Sequence, residues 1–216
     1  MNERIQRVID ALNRNNIDAI YLPTAAEVLA ETERRLTPGS RIAVGGSETL
    51  KECGVMALLR SGKYDFLDRS REGITPAEAE QVMTDSLTAD WFLCSANAIT
   101  EQGELYNVDG RANRVAALAY GPKQVLVIAG VNKLVTDLEE AILRVKTVAA
   151  PKNTCRLQCD TPCAHTGHCL SIDQGKGTDM TAGCHSERRI CWQYLVTGGQ
   201  RTRRITVLLC GEPLGY

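Results

Sequence analysis

The residues best suited to chemistry in this sequence concentrate in one segment rich in cysteine and histidine. Positions 155 to 191 hold six of the nine cysteines and all three histidines of the chain. Thiolates and imidazoles bind zinc, and thiolates hold iron-sulfur clusters, so the segment favours a metal-bound centre. It has few large aliphatic side chains, which leaves ligand bonds as the means of ordering it.

Four of these cysteines form the better ligand set. The first three of the six, Cys155, Cys159 and Cys163, recur every four residues, but Pro162 disfavours a continuous helix through them. We therefore expect zinc or an iron-sulfur cluster to be bound by four thiolates, with a histidine as a substitute ligand: Cys163, Cys169, Cys184 and Cys191. No Cys-x-x-Cys pair occurs, so reversible redox thiols and incidental free cysteines stay open as alternatives.

A glycine-rich turn between a predicted strand and a predicted helix offers an anion site. Glycines allow close approach to the backbone, and hydroxyl groups beside a helix start can meet a phosphate or a carboxylate. The predicted ligand-binding residues of this turn are Gly45, Gly46, Ser47 and Thr49. An ordinary capped turn is the alternative interpretation.

A polar segment after the predicted strand Trp91–Ser95 extends this candidate cleft. Ligands of open parallel sheets bind at the carboxyl ends of strands. We predict that amide groups there bind the ligand, namely Asn97, Asn107 and Asn113. Glu101 or Asp109 is the candidate general base, provided that desolvation raises its pKa. For any one of these residues, a role in building turns is the alternative.

Alternating strand and helix patterns must position these groups. The pattern predicts an α/β fold, mainly a parallel sheet with helices on both faces, in which Gln124–Ala129 is a central strand. We assign residues 1–150 and 204–216 to this domain. Residues 151–203 are then a cysteine-rich insertion. Trp192–Thr197 and Arg204–Cys210 are expected to pair as a hairpin, and the second strand is apolar enough to rejoin the main sheet.

Composition limits the classes of function. With 216 residues, 44% of them hydrophobic, the chain suits one folded core, and a formal net charge of -1 speaks against nucleic acid as a partner. Five arginines between positions 188 and 204 are expected to form a solvated face. The longest apolar run, 125–131, is too short to span a bilayer, and the charged N-terminus lacks a signal-peptide core. We expect a cytoplasmic protein.

Several motifs together resemble a known family, the LUD or lactate-utilisation domain. They cover nearly the whole chain and are Gly45-Gly46-Ser47-Glu-Thr-Leu50, the run from Asn97-Ala-Ile-Thr-Glu101 to Ala117, Gly121-Pro122-Lys123, Gly130-Val-Asn132-Lys133, Thr161-Pro162-Cys163 with Cys169, and Arg189-Ile190-Cys191. The resemblance implies a fold related to glucosamine-6-phosphate deaminase, ribose-5-phosphate isomerase and the CoA transferases. The resemblance also includes a tail that contains cysteines. Cys155 and Cys159 are additional to the cysteines of that tail.

The resemblance further implies a role in oxidising lactate or a related organic acid. The chain would be a component of an iron-sulfur or metal-containing system with oxidoreductase subunits as partners; whether it is catalytic alone stays open. No Gly-x-Gly-x-x-Gly fingerprint occurs, which disfavours an ordinary nicotinamide-dependent dehydrogenase. Two alternatives remain, an isomerase or hydrolase of a phosphorylated small molecule and a noncatalytic subunit that docks through Arg203 and Arg204.

Overall fold

Two β-sheets and ten α-helices make up the computed structural model, which describes residues 2–216. The strands are β1 (Asp18–Leu22), β2 (Arg41–Val44), β3 (Asp65–Leu67), β4 (Trp91–Cys94), β5 (Ala98–Thr100), β6 (Leu105–Asp109), β7 (Gln124–Gly130), β8 (Leu134–Val135), β9 (Gln193–Thr197) and β10 (Ile205–Cys210). The helices are α1 (Glu3–Arg14), α2 (Ala25–Arg35), α3 (Glu48–Glu52), α4 (Val55–Leu59), α5 (Pro76–Asp85), α6 (Asn113–Ala119), α7 (Leu138–Arg144), α8 (Ala150–Arg156), α9 (Pro162–Thr166) and α10 (Leu170–Asp173).

The larger sheet has six strands, all parallel, in the order β1-β10-β7-β4-β2-β3. Helices α1 and α6 pack on one face, against side chains such as Val125 and Val127 of β7. Helices α2, α3 and α4 cover the other face, against Leu126 and Ile128. Alternate residues of one strand are thus buried under different helices, which is why the strand is continuously apolar. The predicted α/β class is confirmed.

The chain reverses direction across this sheet between β2 and β4. From β2 it continues outward to the edge strand β3, whereas from β4 it continues inward to β7 and then to β10. The connections therefore diverge from a crevice at the carboxyl ends of β2 and β4. In open α/β sheets such a switch point is the usual place for a ligand.

The smaller sheet places the last two strands differently from the sequence prediction. Its order is β8-β5-β6-β9, with β9 antiparallel to β6, whereas β10 lies between β1 and β7 of the larger sheet. The predicted pairing of Trp192–Thr197 with Arg204–Cys210 is therefore wrong, whereas the predicted return of the second strand to the main sheet is confirmed. All six residues of β10 are buried and need cover on both faces, but most of β9 is partly exposed and suits an outer position.

The predicted boundary after residue 150 falls within a helical path that the chain follows from Leu138 to Arg156. Helix α7 passes into a π-helix at Val145–Ala149 and then into α8, near whose start Pro151 lies. The missing N–H of Pro151 thus falls inside this path, where the π-helix passes into α8. The division into a domain and an insertion stays a prediction.

Gly103 sets the contact between α1 and the turn that joins β5 to β6. Its φ is +80°, and a Cβ there would lie 2.6 Å from the carbonyl carbon of Ala11 and 2.7 Å from the nitrogen of Leu12. These are backbone atoms of α1, so they cannot rotate away. Only glycine allows the turn to meet the helix at this distance.

We expect Gly103→Ala to destabilise the fold more than Gly39→Ala does. Both residues have a left-handed φ near +80°, but a Cβ at Gly39 would meet nothing within 4 Å. The control should lose about 1–2 kcal/mol from backbone strain, and Gly103→Ala about 1–3 kcal/mol more from overpacking. Urea unfolding measures the difference; equal losses would show that the contact with α1 is unimportant.

Candidate functional site

Loops that follow three neighbouring strands meet at a buried lysine. Lys133, in the turn after β7, is 2% exposed, and its Nζ donates hydrogen bonds of 2.9 Å to Thr49 Oγ1 and to Ser95 Oγ. Thr49 is on α3 behind β2, and Ser95 directly follows β4. The switch-point crevice between β2 and β4 therefore has an amine and two hydroxyl groups at its base.

The surroundings of Lys133 disfavour its charged form. Burial, followed by repulsion from Arg144 and Arg114, lowers the pKa of Lys133 from 10.5 to about 7. Within residues 2–216, no carboxylate lies within 4 Å of its Nζ. A substantial fraction of the amine is therefore uncharged near neutral pH.

Asn97 and Asp109, two of the predicted site residues, come together around Arg114. This guanidinium pairs with the Asp109 carboxylate at 2.7 Å and donates to Asn97 Oδ1 at 2.8 Å. The second carboxylate oxygen of Asp109 accepts from the backbone nitrogen of Val115 and so anchors α6. A Cβ on Gly45 would lie 3.3 Å from the Arg114 side chain, which places this group beside the glycine turn.

The other predicted residues of the polar segment lie in different environments. Glu101 pairs with Arg4 at 2.7 Å and with Arg7 at 3.4 Å, both on α1, and the hydrogen bond from Arg4 is the main cause that lowers the pKa of Glu101. A carboxylate held ionised in this way is a weak base. Asn107 is fully buried with neither side-chain polar atom hydrogen-bonded, and Asn113 begins α6.

The glycine turn carries a cation that the sequence analysis missed. A Cβ on Gly46 would lie 2.8 Å from Nη2 of Arg69, so this guanidinium lies across the backbone of Gly46. Burial lowers the pKa of Arg69, and in the described part of the chain no carboxylate lies within 4 Å of it. Its Nη1 contacts Met83 Sδ at 3.4 Å. Ser47 Oγ, in contrast, accepts from the Leu50 nitrogen and caps α3.

Lys133, Arg69 and Arg114 are thus the site residues that sequence reasoning did not select. Lys133 and Arg114 lie in motifs that carry the family resemblance, Gly130-Val-Asn132-Lys133 and the run from Asn97 to Ala117, but no role was assigned to either residue. Arg69 lies in no such motif. Their importance depends on which strands the topology makes neighbours.

The four predicted ligand cysteines line one cavity beneath the smaller sheet. Cys163, Cys169, Cys184 and Cys191 contribute to its wall together with Tyr106 and Lys146. Burial, with a further contribution from the other three thiols, raises the pKa of Cys191 to about 12. Within residues 2–216, no group of three His, Cys, Asp or Glu side chains lies close enough together to hold a metal ion.

The remaining cysteines and all three histidines lie outside this cavity. Cys155 is exposed and Cys159 is partly exposed, and neither lines its wall. His165 pairs with Asp160 and His168 with Asp173. Three further cysteines are buried in or beside the larger sheet, namely Cys53, Cys94 and Cys210.

The fold and the cleft define the class of protein: an open, parallel α/β domain with a cationic crevice at its switch point. The LUD domain model matches residues 5–210, so the chain belongs to the LUD domain family. The resemblance deduced from the motifs is confirmed.

A solved structure shares the fold. The crystal structure of a DUF162 family protein from Deinococcus radiodurans has a similar fold, with a TM-score of 0.53, 19% identity and 97% of each chain covered. No curated protein matches the chain. None of the helices within residues 2–216 combines the length and apolarity needed to cross a bilayer.

The lowered pKa of Lys133 predicts a pH dependence of stability. Between pH values of about 7 and 10.5, the unfolded chain binds the proton that the folded chain has lost. The free energy of unfolding of the wild type should therefore rise with pH relative to Lys133→Met, by up to about 1.4 kcal/mol per pH unit. Chemical denaturation across this range measures it.

The matched control is Lys123→Met, which removes a lysine whose side chain is 77% exposed. Its stability should follow that of the wild type across the range. Parallel pH profiles for the wild type and Lys133→Met would contradict the assigned environment of Lys133.

Proposed function

We propose that this protein binds a small organic anion of the 2-hydroxy or 2-oxo acid class in the switch-point crevice. On this proposal it takes part in the oxidation of lactate or a related acid, as a component of a metal-containing redox system. The observation that carries the proposal is the Arg69 guanidinium, which lies across Gly46 without a carboxylate partner.

The charge balance of the crevice favours an anion. Arg114 and Arg144 repel a charged Lys133, and Arg114 also repels Arg69. Asp109, which attracts Arg69, is already paired with Arg114, and Glu52 attracts Lys133 only from beyond 4 Å. A buried cation without a counter-charge is unfavourable, and the carboxylate of a ligand would relieve that cost. Guanidinium groups bind carboxylates through two parallel hydrogen bonds.

An isomerase or hydrolase of a phosphorylated compound is the second candidate, supported by the same cation beside a glycine turn. Phosphate is also bound by guanidinium groups and by accessible backbone amides. Membership of a family linked to lactate utilisation favours the organic acid. The two candidates differ in the ligand that should stabilise the folded protein.

We expect lactate or pyruvate to bind the wild type. Arg69→Met should weaken the affinity by about 10- to 100-fold, because it removes a hydrogen bond to a charged group. Calorimetry with lactate, pyruvate, ribose 5-phosphate and inorganic phosphate measures it. Because Arg69 lacks a carboxylate partner, the variant should be at least as stable as the wild type.

The matched control is Arg71→Met, since Arg71 is exposed and pairs with Glu78. Its affinity should equal that of the wild type. Binding of ribose 5-phosphate alone would favour the second candidate. Absence of binding by all four ligands would reject the proposed crevice.

The cysteine-lined cavity supports the redox part of the proposal, because its donor set suits zinc or an iron-sulfur cluster. Cys163, Cys169, Cys184 and Cys191 would hold the group, and a cluster there would supply one-electron transfer. Lys146 orders the surrounding chain by donating to the carbonyl oxygens of residues 176 and 179. Asn97, from the crevice, and Cys191 also line a common small cavity, which brings the two regions close.

Protein purified without oxygen should contain zinc or iron with sulfide, and an iron-sulfur cluster would give visible absorption. Cys191→Ser should lose most of the metal because one of four ligands is removed. Cys53→Ser is the control, since Cys53 is buried among apolar residues of the larger sheet. A wild type that is folded, colourless and free of metal would reject the centre.

The third hypothesis, docking through Arg203 and Arg204, has weaker support. Arg204 donates hydrogen bonds to the carbonyl oxygens of residues 117, 118 and 122, and Arg203 pairs with Asp18. Both guanidinium groups are thus engaged within the chain. A partner would have to compete with these contacts.

A further inference from the structure

We propose that Lys133 binds its ligand covalently, by condensing with the carbonyl group of a 2-oxo acid to form an imine. The inference deepens the proposed function and rests on it, since the same crevice must first bind the acid. It assigns a specific chemical role to a lysine that was not among the residues selected from the sequence.

The hydrogen bonds of Lys133 are those of a neutral amine. A neutral amine has two N–H donors and one lone pair, and Nζ has two acceptors, the hydroxyl oxygens of Thr49 and Ser95. In the described chain it makes no third hydrogen bond, so an ammonium ion would leave one buried donor unpaired. The two bonds satisfy the amine and leave its lone pair free to attack a carbonyl carbon.

The second buried lysine, Lys146, has a structural role that differs from the role inferred for Lys133. Lys146 Nζ donates to the backbone carbonyl oxygens of Lys176 and Asp179, which accept hydrogen bonds but cannot transfer a proton. Lys133 instead contacts two hydroxyl groups, each of which both accepts and donates. Thr49 Oγ1 donates onward to the Leu214 carbonyl at 3.3 Å, and Ser95 Oγ to the Ala96 carbonyl at 3.4 Å.

The reaction balances without an oxidant. The Nζ lone pair forms a bond to the carbonyl carbon of the acid, and the carbonyl π electrons move to its oxygen. Ser95 or Thr49 relays a proton from nitrogen to that oxygen, giving a carbinolamine. Proton transfer and loss of water then form the C=N bond. The protonated imine is an electron sink, and its carboxylate matches the unpaired guanidinium of Arg69.

The segment after β10 covers the amine. A Cβ at Gly215 would lie 3.5 Å from Lys133 Nζ and 2.5 Å from Thr49 Oγ1, and the φ of Gly215 is +60°. The Leu214 nitrogen donates to Asn132 Oδ1 at 3.1 Å and the Gly215 nitrogen donates to Glu52. Asn132 Nδ2 donates to the Gly215 carbonyl at 3.2 Å, and Tyr216 Oη is hydrogen-bonded to Arg156 and Asn153. The inference therefore requires residues 214–216 to move away before an acid can reach Nζ.

Borohydride trapping tests the inference on the full chain. Wild-type protein is incubated with pyruvate, reduced with sodium borohydride, digested and mapped by mass spectrometry. We expect a reduced pyruvate adduct on Lys133, its absence in Lys133→Met, and its retention in Lys123→Met, which removes an exposed lysine. Ser95→Ala should slow formation of the adduct because one proton relay is lost.

Calorimetry with pyruvate on the same samples separates this inference from the proposed function. Binding without an adduct on Lys133 overturns the imine and leaves the anion site intact. Absence of both binding and adduct overturns both. Labelling spread equally over exposed lysines also overturns the imine. The decisive measurement is the wild-type map, so it does not depend on the folding of any variant.

Discussion

A buried guanidinium without a counter-charge, that of Arg69, is the feature of the larger sheet's carboxyl edge that governs the proposed site. Arg69 has no carboxylate within 4 Å, Asp109 is already paired with Arg114, and the amine of Lys133 donates only to hydroxyl groups. Burial of charge without a counter-charge costs stability, so such an arrangement is favourable only when something else compensates. A bound anion is the compensation that the geometry favours.

The same constraint connects the fold to the proposed chemistry. The turn after β2, the residue after β4 and the turn after β7 meet at Lys133, so its two hydrogen bonds hold loops of three neighbouring strands together. Arg114 does the same for the smaller sheet, through Asn97 and Asp109. The groups that define the crevice are thus also the groups that fix its walls, which preorganises it for a ligand.

Two sites with different chemistry lie close together in this arrangement. The crevice offers an amine and guanidinium groups, whereas the cavity beneath the smaller sheet offers four thiols. Asn97 and Cys191 line a small space between them. This proximity arises because β6 joins the polar segment to the wall of the cysteine cavity.

Local periodicity, motif order and short spacing were enough to predict the α/β class, the family and a common location for Cys163, Cys169, Cys184 and Cys191. They also predicted that Asn97 and Asp109 belong to one polar cluster. They could not predict that Glu101 faces α1, that β9 pairs with β6 rather than β10, or that Lys133 and Arg69 lie in the crevice. These outcomes depend on which strands become neighbours, and strand order is set by packing between residues far apart in the chain.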